Sequence, residues 1–84
     1  MTVTIFVPDI PEFLPLVRAA EGVEGCVVLK PNNGYWRVES AHELRFSRKS
    51  LGLDHAIWNS ALSGGFRGRI VEYGRDSMVI ESEP

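Results

Sequence analysis

The residues with the clearest chemical potential are two arginines separated by one position, Arg67 and Arg69, which follow the glycine pair Gly64-Gly65. In a strand that spacing sends both guanidinium groups to the same face. Each offers a planar fork of donors that fits a carboxylate or phosphate. The same alternation runs through Val71 to Tyr73, so Tyr73 would stand on the arginine face. His42 and His55 are the side chains whose ordinary titration lies nearest neutrality, which makes them the first candidates for a general base. Asp54 and His55 are neighbours, but adjacent positions at a helix start point in different directions and do not make a dyad by themselves. Trp36 with Tyr35, followed by Arg37, Arg45, Arg48 and Lys49, is the one aromatic and basic stretch that could stack single-stranded nucleic acid. The candidate ligand-binding residues are therefore Arg67, Arg69, His55, Trp36 and Tyr73.

Each candidate also has a simpler structural role. Arg67 and Arg69 would suit a solvated strand edge, with a carboxylate such as Glu81 as partner. Trp36 alternates in phase with Val38, which places it toward the core and away from a stacking surface. The glycine pair closes a helix, where a phosphate-binding loop would open one, and no Lys-Ser/Thr ending follows it. Cys26 begins an apolar strand, where burial raises a thiol's pKa and makes it a poor nucleophile. No His, Cys, Asp and Glu spacing matches a metal-ligand set, and no motif calls for a cofactor.

These residues must be positioned by short elements. Val3, Ile5 and Val7 alternate with Thr4 and Phe6 as a strand that Pro8 stops. Pro15 fits a helical first turn, and Leu16, Val17 and Ala20 then share one face of a helix over about 14–21. The stretches 26–30 and 35–40 read as a hairpin. A two-residue Asn33-Gly34 turn would set Lys30 opposite Arg37, so a four-residue loop is expected, pairing Leu29 with Trp36 and Val27 with Val38. Glu43 to Phe46 reads as a short strand. Asp54 caps a second helix that buries Ile57, Trp58, Ala61 and Leu62, and residues 66–73 and 77–82 form a second hairpin about Gly74-Arg75-Asp76.

The order β-α-β-β thus occurs twice, and the two copies align at half the chain length. Leu16, Ala19, Ala20 and Gly22 fall on Trp58, Ala61, Leu62 and Gly64; Val28 and Leu29 fall on Ile70 and Val71; Val38-Glu39-Ser40 falls on Ile80-Glu81-Ser82. The expected fold is α+β: a single domain of two βαββ halves, about 1–42 and 43–84, joined in a mainly antiparallel sheet with two helices packed on one face. A groove between the halves is the expected ligand site.

Composition narrows the function. Nine basic against eleven acidic residues give a formal charge of −2, so no whole-domain field draws the protein to nucleic acid or anionic lipid. The lone cysteine and the absence of a signal-like or membrane-length apolar run point to a cytoplasmic protein without membrane attachment. So short a chain buries only roughly 60–65% of the surface it exposes unfolded, which favours self-association as a homodimer. With no catalytic spacing in view, the leading expectation is a non-catalytic binding or protein-interaction module, one suited to holding a small anionic or aromatic ligand. The alternatives are a small isomerase, lyase or hydrolase with a histidine base and an arginine anion clamp, and a nucleic-acid-binding protein.

Overall fold

A computed structural model describes residues 2–83. The fold is α+β, built on two antiparallel sheets. Strand β1, Val3–Pro8, turns its odd-numbered side chains inward, and Val3, Ile5 and Val7 are fully buried. A 3-10 turn over Pro11–Phe13 leads into helix α1, Leu14–Glu21, which has a proline in its first turn. The proline costs nothing there, because the first N–H groups of a helix have no carbonyl to bond within it. Leu16, Val17 and Ala20 lie on its buried face.

Strands β2, Cys26–Asn32, and β3, Tyr35–Ser40, make the first hairpin. Its register differs from expectation. The turn is the two-residue one, with Asn33 and Gly34 both at positive φ, and Asn32 faces Tyr35. A bulge between Leu29 and Asn32 then slips the ladder by one position, so that Leu29 faces Arg37 and Val28 faces Val38. The extra residue removes the Lys30 to Arg37 opposition that a longer loop was expected to avoid. As a result Leu29 and Val27 lie on the outer face of the sheet, and Val28 and Trp36 face inward.

Strand β4, Glu43–Ser47, buries Leu44 and Phe46 in alternation. It runs directly into α2, Arg48–Leu51, a single turn capped at Ser47 and ended at Gly52. Helix α3, His55–Asn59, begins at Asp54, whose carboxylate accepts from the Ile57 amide at 2.8 Å. The helix is shorter than expected, and consecutive turns from Ser60 carry the chain to Gly65. Trp58 and Ala61 are buried as expected, with Ile57 and Leu62 partly covered.

The run 66–73, expected as one strand, is two: β5, Phe66–Arg67, and β6, Arg69–Tyr73. Strand β7, Ser77–Glu81, completes the second hairpin. The first sheet has the order β2-β3-β1-β5 and the second β4-β7-β6. Two sheets therefore stand where one was expected. The division falls at Gly68, where the backbone passes from pairing with β1 to pairing with β7 at φ +135°, a conformation that side-chain-bearing residues avoid. A Cβ at this position would also lie 2.7 Å from the Glu81 carbonyl oxygen. Buried residues of both sheets and of α1 and α3 form one cluster, joining Val3, Ile5 and Val7 to Leu16, Trp58, Met78 and Ile80. No helix among the described residues is long and apolar enough to cross a membrane.

Candidate functional site

The start of α3 and the tip of the second hairpin meet beside Trp58. The Trp58 indole donates to the Gly74 carbonyl at 2.9 Å, the Tyr73 hydroxyl donates to the Trp58 carbonyl at 2.6 Å, and the two rings pack edge to face. These bonds hold the hairpin tip against the helix, and an open cavity of about 700 Å³ lies between them, lined by His55, Asn59, Tyr73, Gly74 and Arg75. Burial pushes the Tyr73 phenol up from its ordinary value, partly offset by the Ala61 backbone amide, so it stays protonated and remains a donor.

The electrostatics of this corner are organised by Arg48. Its side chain, only 15% exposed, reaches from α2 to bond Asp76 Oδ1 at 2.8 Å and the Leu53 carbonyl at 2.8 Å. The backbone adds a bond from Arg48 N–H to the Asp76 carbonyl at 2.8 Å. The guanidinium holds the Asp76 carboxyl below the usual carboxylate range, with lesser help from the charges of Lys49 and His55. His55 Nε2 lies 3.9 Å from the same Asp76 oxygen, too far for a hydrogen bond, and has no partner. That nitrogen is shielded from solvent while the side chain as a whole is 44% exposed. Arg75 has no ion pair among the described residues. The corner thus carries Arg75 as a free cation beside an Arg48–Asp76 pair that neutralises itself, with an amide, a phenol and an imidazole alongside.

Of the five residues singled out from the sequence, His55 and Tyr73 come together in this cavity, and Arg67, Arg69 and Trp36 do not line it. Arg67 stands opposite Thr4 at the edge of the first sheet and lines a separate depression with Phe66 and Gly68. Arg69 lies across Gly68 in the second sheet and pairs with Glu81 at 2.9 Å. The two guanidinium groups therefore serve different sheets, because the intervening glycine breaks the alternation that would have aligned them. Trp36 is half-buried against the core, and its indole nitrogen has no hydrogen-bond partner. A stacking surface for nucleic acid would need that ring outward, and three of its companion cations are already paired, Arg37 with Glu39, Arg45 with Glu43 and Arg48 with Asp76. His42 is exposed and lies outside the cavity lining. Burial raises the Cys26 thiol, as expected for a strand cysteine, with the Ser40 hydroxyl bond opposing it. Among the described residues no group of three His, Cys, Asp or Glu side chains is arranged to hold a metal ion.

Sequence reasoning missed Asn59, Arg75 and the Arg48–Asp76 pair. Arg75 and Asp76 read as turn residues, and only the meeting of that turn with α2 and α3 gives them a shared role. No protein-family model matches the chain, and no curated protein matches it in sequence.

Proposed function

We propose that this protein is a small cytoplasmic, non-catalytic binding module that holds a small carboxylate- or phosphate-bearing ligand in the cavity between α3 and the second hairpin tip. The observation that carries this reading is the Arg75 guanidinium, which has no ion pair among the described residues, on the wall of a cavity beside which the Asp76 carboxylate is already neutralised by Arg48. An anion entering there meets the Arg75 guanidinium, the Asn59 amide and the His55 side chain. The Asp76 charge at this corner is already engaged by Arg48. The Tyr73 and Trp58 contacts fix the wall in advance, which lowers the cost of ordering it on binding.

Two features support the wider reading as a pseudo-repeat that self-associates. The sheets have corresponding orders, β2-β3-β1 and β6-β7-β4, and Val28 facing Val38 corresponds to Ile70 facing Ile80 at the same half-chain offset. Edge strand β6 leaves Ile70 and Val71 exposed, the kind of edge that a second copy covers.

The test is an amide chemical-shift titration with inorganic phosphate and with acetate, run on the wild type and on Arg75→Ala. Saturable shifts confined to His55, Asn59, Gly74 and Arg75 are expected, with affinity falling about tenfold in the variant, the usual cost of a charge-assisted contact. Shifts that are absent, or that survive the substitution at full affinity, would overturn the reading.

A further inference from the structure

A second cavity lies on the outer face of the first sheet and shares no lining residue with the His55 corner. Its volume is about 410 Å³, and its walls include Phe6, Leu29, Lys30, Tyr35, Arg37 and Gly64. We propose that it binds a free aryl carboxylate, with the ring against Phe6, Leu29 and Tyr35 and the acid group at Lys30 and Arg37.

The walls are set by the backbone. Tyr35 lies so close to Gly64 that a Cβ there would fall 2.6 Å from the ring and 2.4 Å from the Phe6 carbonyl oxygen. Only glycine lets the phenol lie down at that place. The hairpin tip is tied to the end of β1 by the Asp9 amide, which donates to the Gly34 carbonyl at 2.9 Å, and the Phe6 amide donates to Gly65 at 3.1 Å. The bulge in β2 sends Leu29 outward beside Arg37, leaving it 41% exposed at the cavity. Two aromatic rings and a leucine held at the surface favour a flat apolar guest, since offset or edge-to-face ring packing adds to the gain from burial.

Charge decides the sign of the guest. Lys30 has no ion pair among the described residues, and Arg37 uses its Nε and Nη2 on the single Glu39 Oε2 oxygen, at 3.2 and 3.0 Å. Lys30 is therefore the main partner for an acid group, with Arg37 beside it. Both cations oppose a cationic guest that the rings would otherwise attract. The cavity falls within the size range of small-molecule sites and is too small for a folded partner.

The test is a titration of the wild-type protein with 2-naphthoate, its methyl ester and cyclohexanecarboxylate, followed by amide chemical shifts. Naphthoate is expected to shift Tyr35, Arg37 and Gly64 saturably, to bind about tenfold more tightly than either comparison compound, and to lose about tenfold in affinity with Lys30→Ala. Lys30 is exposed, and the variant's unchanged spectrum elsewhere would show that it folds. Equal binding of the ester, naphthoate shifts confined to the His55 corner, or concentration-dependent shifts at Tyr35 and Gly64 without ligand would each overturn the proposal, the last by showing a second copy on this face. Because the two cavities share no residues, failure here leaves the anion site at Arg75 standing, and the reverse also holds.

Discussion

At the scale of single residues the most connected group is Arg48. One guanidinium serves a carboxylate on the second hairpin turn and a carbonyl just before α3, so it ties α2 and the start of α3 to a turn far along the chain. The consequence for pH follows from the direction of the Asp76 shift. Arg48 lowers the Asp76 carboxyl in the folded state, so the pair stabilises the protein above the unfolded carboxylate's range, near about pH 4. That stability is lost as the pH falls through the folded-state value. Asp76→Asn should therefore lower the melting temperature at pH 7, and the gap from wild type should narrow as the pH drops below about 4. Thermal melts at pH 7 and pH 3 check this, and a gap of constant size would contradict it. Residue types were legible at this scale, but partnerships were not. Arg69 finding Glu81 could be anticipated from strand pairing, whereas Arg48 finding Asp76 required a meeting of α2 with a turn 28 positions away.

At the scale of elements, alternation and capping carried most of the information. The inward Val3, Ile5 and Val7, the buried face of α1 and the Asp54 cap all follow from local pattern, because each depends on neighbours within a few positions. The bulge in β2 was not legible because the side-chain alternation fits more than one hairpin register, and the break at Gly68 was not because it is decided by partners far along the chain. At Gly68 the backbone must turn between sheets in a space closed by the Glu81 carbonyl and the side chains of Val3 and Ile80. Gly68→Ala is expected to destabilise by at least about 2 kcal/mol, combining an unfavourable φ with overpacking. Gly74→Ala, where a Cβ meets nothing within 4 Å, should stay within about 0.5 kcal/mol of wild type. Urea unfolding of the two variants makes the comparison, and equal losses would show that the crowding at Gly68 relaxes without cost. The same long-range placement separates Arg67 from Arg69 and explains why the shared arginine face suggested by their spacing does not assemble.

At the scale of the whole molecule, the architecture turns on how two sheets share one interior. The α+β class and the antiparallel pairing were readable from the order of elements, while the division into two sheets was not, because the same hairpins satisfy either arrangement. The buried cluster spans both sheets, so neither has an interior of its own. Unfolding should then be a single transition. In Trp58→Phe, Trp36 fluorescence reports on the first sheet alone, and its urea midpoint should coincide with that of far-UV circular dichroism; an earlier fluorescence transition would contradict a shared core. The short strand Phe66–Arg67 adds a further consequence, because it comes from late in the chain yet closes the edge of the sheet begun by β1. Cutting the backbone between Ala41 and His42 would yield two fragments, each missing part of a sheet or its cover. Mixed together, they would have a built-in means of recognising one another, with Phe66 and Arg67 docking beside Ile5 and Thr4, so the molecule carries the makings of a complementing split pair.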